Sequence, residues 1–441
     1  MVLCLTAGVL AGCGEPTNEP AKTEPTTATS ALTENVDYAA SVKLDMNSPT
    51  VKQEVTVKQF IDGDTTHFHV PSSLMPGGVL KGRYLSVNTP ESTGKIEEYG
   101  KKASNFTKEK LSAATSIVIE SDTATWDADS TGDRYLVWVW YRTDENSEYR
   151  NLNIEILQNG LAIASNSANN QYGTTCMAAI NQAKAQKLNV YSGQKDPDFY
   201  YGDAVELTLK ELRTNVETYN GMKVAFNGVV TVNDSNSVYV EAYDAETDMY
   251  YGMSVYYGYN LNGKGLEILT VGNEVRIVGS VQYYEAGGTY QVSDLNYRMM
   301  QPDDPSNIQK LSEGNDPAFF ETTADRFLNG QVITVDDEGN EIINKYAAMA
   351  MSTSIEMKGL TVVDSYTTKT EGSASKGAFT LTCLVDGQYV DVRTTVLVDK
   401  DGNLVTADIY EGKTIDVKGI VDYYNGSYQI KVFSADNITI H

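Results

Sequence analysis

The chain has 441 residues, 41% of them hydrophobic and 21% charged, and this length predicts about three domains. Four cysteines do not provide a disulfide framework, and no stretch reaches the roughly 18 apolar residues that a membrane span requires. The net charge of −25 is uneven, because residues 50–195 carry 15 basic against 16 acidic side chains and residues 196–441 carry 17 against 37. The second region would repel a polyanion, which disfavours nucleic-acid binding there.

Residues 1–13 are typical of a lipoprotein signal, because an apolar run leads into Leu10-Ala11-Gly12-Cys13. The small residues before Cys13 suit cleavage, with lipid added to the cysteine. We therefore expect an extracytoplasmic protein that is anchored to the cell membrane by a lipid on Cys13 and has no transmembrane helix. Residues 14–50 are rich in Glu, Pro, Thr, Ala and Asn, and this composition predicts a disordered tether.

The next region contains two polar motifs that are associated with strand-like alternation of apolar and polar residues. Ile61-Asp62-Gly63-Asp64-Thr65 predicts a turn after a strand, and Arg83 to Glu91 predicts a strand in which Leu85 and Val87 alternate, stopped by Pro90. If the two strands pair, Asp64, Asn88 and Glu91 converge at one end. Hard oxygen ligands of this kind suit Ca²⁺.

Two arginines complete a site of recognisable chemistry. Arg83 lies on the strand that leads into the acidic cluster, and Arg134 lies at the mouth of an aromatic strand that runs to Trp140. One metal, one carboxylate base and two arginines form a reasonable constellation for phosphodiester cleavage.

At this point residues from about Val55 to Ser192 resemble the staphylococcal nuclease (thermonuclease) family. The resemblance combines Asp-Gly-Asp-Thr at 62–65, Arg-x5-Thr-Pro-Glu at 83–91, Tyr99-Gly100 opening a helix, the Arg134-led aromatic strand and Lys187-Leu188-Asn189-Val190-Tyr191-Ser192. It implies that residues 51–195 form a five-stranded barrel with three helices. The helices are expected at Glu97–Ala114, at Leu152–Leu157 and around Cys176, Ile180 and Ala183.

The resemblance also implies roles for individual residues. Asp64, Asn88 and the backbone carbonyl of Thr89 would bind Ca²⁺, although Asn88 stands where the best-known family members have Asp. Glu91 would be the general base that activates the attacking water. Arg83 and Arg134 would clamp the phosphate, unless Asp133 pairs with Arg134 instead. Both acids also have a purely structural interpretation, Asp64 as a cap of the turn and Glu91 as an acidic residue at the start of a helix.

Three further features of this region have simpler explanations. His67 and His69 share one strand face, but no third metal ligand is evident. The lysines of the first helix suit a solvated face better than phosphate contacts. The family's stacking tyrosines are not evident either, which leaves Tyr172 as a candidate for substrate stacking.

Residues 205–300 and 354–441 resemble each other and predict two all-β barrels like the OB-fold, joined by a connector at 301–353. Gly272-x6-Gly279 followed by Ser280-Val281-Gln282-Tyr283-Tyr284 corresponds to Gly412-x6-Gly419 followed by Ile420-Val421-Asp422-Tyr423-Tyr424. Strand alternation predicts that one tyrosine of each pair faces outward. Because the region is acidic, a protein or cell-wall partner suits these barrels better than nucleic acid.

The sequence thus predicts a mainly β protein with a few helices, consisting of a nuclease barrel and two OB-like barrels. The predicted function is that of an extracytoplasmic, calcium-dependent nuclease acting on DNA or RNA. One alternative is a nuclease-like binding lipoprotein that has lost turnover. The other is a surface adhesin that acts through the C-terminal barrels.

Overall fold

The structure, a computed structural model, describes residues 35–93, 95–165, 169–258, 261, 263–285, 287–335, 340–371 and 373–441. The chain divides into two units, Met1–Val36 and Asp37–His441, and every element named below belongs to the second. The predicted signal 1–13, its lipid site Cys13 and the tether up to residue 34 lie outside the described residues. Within the described ranges, no helix combines the length and the apolar character needed to cross a membrane.

Region 51–195 contains a closed five-stranded barrel. The region as a whole has eight strands among its described residues, β1 (Lys52–Phe60), β2 (Thr65–His69), β3 (Val79–Tyr84), β4 (Val87–Asn88), β5 (Ser116–Glu120), β6 (Tyr135–Arg142), β7 (Arg150–Asn151) and β8 (Ile163–Ala164). The barrel runs β3-β2-β1-β5-β6, and parallel pairing of Gly82 with Tyr135 and of Tyr84 with Val137 closes it. The short strands β4 and β8 pair separately beside it.

The three predicted helices are confirmed, with shifted ends. The helices of this region are α1 (Tyr38–Ser41), α2 (Gly100–Ser112), α3 (Leu152–Gln158) and α4 (Gly173–Ala185). Helix α2 begins at Gly100 because Tyr99 has a left-handed backbone, with φ of 65°. Gly100 itself is required, since a Cβ there would lie 2.1 Å from the Glu91 carbonyl oxygen.

The predicted tether boundary at residue 50 is wrong for residues 37–50, which pack on the barrel. Ala39 in α1 is fully buried, and its amide donates to Gln158 Oε1 at 3.1 Å. Asp37 accepts hydrogen bonds from both terminal nitrogens of Arg150. The polar composition of the whole stretch concealed a few apolar residues, among them Tyr38, Val42 and Leu44, that pack against the core.

Two further five-stranded barrels confirm the predicted mainly β fold class. The first contains β9 (Val205–Glu206), α5 (Leu209–Thr214), β10 (Lys223–Asn233), β11 (Ser237–Asp244), β12 (Met249–Tyr256), α6 (Lys264–Ile268), β13 (Glu274–Tyr284) and β14 (Thr289–Ser293), with β15 (Gln309–Ser312) at its edge. It closes by antiparallel pairing of β10 with β13. Gly279 is required at the crossing of β13 and β14, because a Cβ there would lie 2.5 Å from the Ser293 carbonyl oxygen.

The predicted connector 301–353 is an ordered segment that shares one core with both barrels. Besides β15 it contains β16 (Phe320–Glu321), α7 (Ala324–Asn329), β17 (Gln331–Val335), β18 (Glu341–Lys345) and α8 (Tyr346–Met349). Buried Phe327 and Tyr346 belong to a hydrophobic cluster that extends through both barrels. Strands β17 and β18 pair with each other, and none of the elements is longer than six residues, which is too short for a clear sequence period.

The second barrel repeats the first. Its strands are β19 (Ser354–Thr367), β20 (Phe379–Val385), β21 (Gln388–Thr394), β22 (Thr414–Tyr424), β23 (Ser427–Val432) and β24 (Ile438–Ile440). Pairing of β19 with β22 closes it, as pairing of β10 with β13 closes the first. Each C-terminal region therefore contains a barrel, closed by antiparallel pairing of its first long strand with the strand that carries the tyrosine pair.

A buried acid joins the two repeats. Glu241 in β11 is 1% exposed and accepts from the backbone amides of Ser354, at 2.6 Å, and Ala318, at 3.0 Å. The Ser354 hydroxyl also donates to this carboxyl, at 2.8 Å. Burial raises the pKa of Glu241, and these hydrogen bonds oppose the shift.

The prediction for the paired tyrosines holds in one repeat and is wrong in the other. In the second barrel Tyr423 is partly buried against Tyr428, with ring centroids 5.0 Å apart, and Tyr424 is exposed. In the first barrel Tyr283 and Tyr284 are 47% and 44% exposed. Tyr283 also packs against a tyrosine, Tyr290, with ring centroids 5.0 Å apart, but this contact leaves it exposed.

Candidate active site

The Asp62-Gly63-Asp64 turn fixes the first acidic residues of the site. The Ile61 amide donates to the Thr65 carbonyl at 3.2 Å, and the Asp64 amide donates to Asp62 Oδ1 at 3.1 Å. Gly63 leaves no room for a side chain, because a Cβ would lie 2.8 Å from the Thr89 methyl group and 2.9 Å from Ala103. The turn is therefore wedged between the second motif and helix α2.

The structure brings Asp64, Arg83, Asn88 and Thr89 together as predicted. Asp64 is 2% exposed; its Oδ2 accepts from the Thr89 amide at 2.8 Å, and its Oδ1 forms an ion pair with Arg83. The same guanidinium donates from Nη2 to Asn88 Oδ1 at 2.8 Å. Arg83 thus bridges the two side chains that were predicted to bind metal.

The predicted alternation of Leu85 and Val87 along one strand is wrong. Strand β3 ends at Tyr84, and β4 starts at Val87. Between them Ser86 has φ of 62°, a left-handed conformation that breaks the pleat. This break turns the chain so that Asn88 faces back toward Arg83.

Glu91 lies in a loop that closes on itself, and its carboxyl is near enough to Arg83 to feel the charge of the guanidinium. Its amide donates to Glu97 Oε2 at 3.1 Å, and the Glu97 amide donates to its carbonyl at 2.9 Å. Loss of hydration raises the pKa of Glu91, the charge of Asp62 raises it further, and Arg83 opposes the shift. The side chain still reaches solvent, as a base that activates water requires.

Arg134 is held by a partner that the sequence did not identify. Its Nε and Nη2 contact Asp129 Oδ2 at 2.7 and 2.6 Å. Asp133, the predicted alternative partner, pairs with Lys81 at 2.5 Å instead. Asp129 and Arg134 lie on the two sides of a tight turn, which a linear reading of Ser130 to Asp133 does not reveal.

Asp62 is a site residue that sequence reasoning missed. It is 8% exposed, and burial raises its pKa, whereas Arg83 and, to a smaller extent, Arg134 oppose the shift. Arg83 in turn has its pKa lowered by burial, against the opposing charge of Asp62. The position of Asp62 directly before Gly63 is the signal in the sequence, but a turn alone also accounts for an Asp there.

The predicted calcium ligands fit a hard cation in the kind of atom they offer. Asp64 supplies a buried carboxylate, Asn88 an amide oxygen and Thr89 a backbone carbonyl. Asp64 is the single carboxylate among these three, and Arg83 contacts both side chains. A cation would therefore have to displace the guanidinium. Among the described residues, no three or more His, Cys, Asp or Glu side chains are grouped to hold a metal ion.

The other candidate residues have structural roles. Tyr172 packs against Trp138 and Trp140 in T-shaped contacts, with centroid distances of 5.1 and 5.4 Å, and its hydroxyl donates to Glu120 Oε2 at 3.3 Å. On strand β2, His67 is partly buried and His69 is exposed. Burial is the main cause that lowers the pKa of His67, and the charges of two nearby lysines add to it.

The barrel with Arg83 paired to a buried acid is similar to what the nuclease resemblance implies. Residues 81–193 match the family described as staphylococcal nuclease homologue. The match includes Arg83, Asn88, Thr89, Glu91 and Arg134, and Asp64 precedes it. No curated protein matches the chain.

Proposed function

We propose that the protein is an extracytoplasmic, lipid-anchored, calcium-dependent nuclease that hydrolyses phosphodiester bonds of DNA or RNA. The observation that carries the proposal is the bridge from Arg83 to Asp64 and Asn88, with Glu91 in the same site and within the family match. The lipid site is Cys13, and the sequence pattern around it supports the location.

In this proposal the chain's own residues perform binding, orientation and proton transfer. Glu91 accepts a proton from the water that attacks phosphorus, and its raised pKa makes it a better base than an ordinary carboxylate. Arg83 and Arg134 present planar forks to phosphoryl oxygens as charge develops on them. A bound Ca²⁺, held by Asp64, Asn88 and Thr89, would supply Lewis-acid stabilisation of the same oxygens. Resemblance to the family implies 3′-phosphate products.

Plasmid digestion with added calcium, and with a chelator in its place, tests the proposal. We expect the purified chain to degrade plasmid with calcium and to stop when calcium is chelated. Failure to cleave DNA or RNA under either condition would favour the binding lipoprotein that has lost turnover. A chain that cleaves equally well with chelator would contradict the calcium requirement.

Asn88→Asp is expected to tighten calcium binding by roughly tenfold, because added ligand charge raises affinity for a hard cation. Isothermal titration calorimetry on the full chain measures the change. Asn146→Asp adds the same charge on an exposed loop of the same region and is the matched control. Equal or weaker binding by the Asn88 variant would remove Asn88 from the ligand set.

A further inference from the structure

The hairpin formed by β13 and β14 of the first C-terminal barrel reaches the loop that carries Glu91. We call residues 91–93 and 95–99 the base loop. Gln282 donates from Nε2 to the Ser92 carbonyl at 2.8 Å, across 190 positions of sequence. Its Oε1 accepts from the Ser293 hydroxyl, so the barrel itself orients the amide.

A second contact holds the other end of the base loop. Asp294 directly follows β14 and has φ of 60°, which turns its carboxyl toward the nuclease region. This carboxyl faces the Ile96 amide and the Ser280 hydroxyl, and its interactions with both groups oppose the rise in its pKa that burial causes. The barrel therefore binds the loop at Ser92 and again at Ile96.

Glu91 is mechanically linked to these two contacts. The reciprocal hydrogen bonds between Glu91 and Glu97 close the loop into a ring, so a shift of its middle moves Glu91. Beyond the ring, the Tyr99 amide donates to buried Asp196 at 2.7 Å. Asp196 lies in the segment that leads from the nuclease region to the first barrel. Three anchors of the base loop thus come from outside the residues that match the family.

Polar contacts such as these couple the two regions, because their buried hydrophobic residues form separate clusters in the part of the chain that the structure describes. The nuclease region and the C-terminal barrels have separate clusters of buried residues. Between α2 and the hairpin lies a cleft of about 740 Å³. Lys108 of α2 and Glu285 of the hairpin form an ion pair across it.

We infer that Gln282 and Asp294 are positioning residues of the nuclease site, and that the first barrel works by holding Glu91 in reach of the attacking water. The inference rests on the proposed nuclease function. Turnover is sensitive to such placement, because a displacement of about 1 Å of a reacting group can cost 10²-fold. Neither residue touches the substrate site, so substrate affinity is not expected to change.

Two variants of the full chain test the inference. Gln282→Ala removes the donor to Ser92, and Asp294→Gly removes the acceptor for Ile96 while keeping a residue that tolerates positive φ. For each we expect kcat to fall about tenfold with KM within about twofold. Hydrogen exchange in the 91–99 peptide is expected to become at least about tenfold faster, with β1 and β5 unchanged.

A rescue variant and a matched control make the result specific. Asp294→Asn keeps an acceptor oxygen and tolerates a left-handed backbone, so it should restore most of the turnover lost in Asp294→Gly. Asp422 occupies the position of Gln282 in the second repeat and accepts from Gln429 at 2.7 Å. Asp422→Ala should therefore leave both kcat and exchange in the base loop at wild-type values.

Wild-type kcat in folded Gln282→Ala and Asp294→Gly would overturn the inference, whether or not exchange becomes faster. Failure of the proposed function has a different signature, namely a wild-type chain that cleaves nothing. In that case exchange alone decides: faster exchange in both variants supports a barrel that orders the loop, and unchanged exchange overturns it.

Discussion

Glu91→Gln is expected to lower kcat at least about 10²-fold, the scale of one lost general base. The amide has the same shape as the carboxylate but cannot accept the proton of the attacking water. Because the side chain reaches solvent and its backbone makes the loop-closing hydrogen bonds, the fold should be unaffected. Steady-state cleavage of single-stranded DNA in the presence of calcium measures the effect.

Glu109→Gln is the control for this variant, since Glu109 is an exposed acid of α2 paired with Lys110. Arg83→Ala should produce a similar loss through the missing phosphate clamp, about 10²-fold. This second variant also leaves buried Asp64 without its ion pair, so its melting temperature must be compared before its kinetics are interpreted. Cleavage by Glu91→Gln at the wild-type rate would show that Glu91 is not the base.

The fragment 200–441 is expected to fold alone and to bind single-stranded DNA with a Kd weaker than about 10⁻⁴ M at physiological salt. Its core is a cluster separate from that of the nuclease region, which supports independent folding. It carries 17 basic against 35 acidic side chains, and several cations are paired with acids. These pairs are Arg276–Glu206, Lys310–Glu313, Lys358–Glu321 and Lys376–Glu371.

Circular dichroism and fluorescence anisotropy with a labelled oligonucleotide test the two parts of this prediction. The full-length Glu91→Gln chain is the positive control, since it should bind DNA without cleaving it. Micromolar binding by the fragment that weakens with added salt would contradict the prediction and identify the barrels as substrate-capture modules. Exposed Tyr283 and Tyr284 would then be the first residues to replace.

Local geometry explains which parts of the site the sequence could predict. Thr65 pairs with Arg83 across β2 and β3, so one hairpin brings the first motif beside the arginine. Turn residues and strand alternation determine such a contact within a few dozen residues. The Asp129–Arg134 pair and the left-handed Ser86 were missed, because several turn conformations are compatible with the same residue types.

Contacts between residues that are far apart in the sequence could not be predicted, for a different reason. Nothing near Gln282 in the sequence distinguishes it from other polar residues of a β-strand, and its partner is a backbone carbonyl. Every residue type has the same backbone carbonyl, so the sequence does not indicate which residue accepts such a hydrogen bond. The same holds for Asp196, which accepts from the Tyr99 amide, whereas Gly279 and Gly419 in the C-terminal barrels do mark points of close strand contact.

The buried carboxyl of Glu241 has a consequence for whether the two C-terminal barrels can be separated. A copy of the first repeat moved alone into another gene would leave the carboxyl without Ser354 and Ala318, and a buried polar group without partners is costly. A pair moved together keeps every partner. The two barrels are therefore expected to keep their full stability only when they stay together, even though each closes by its own strand pairing.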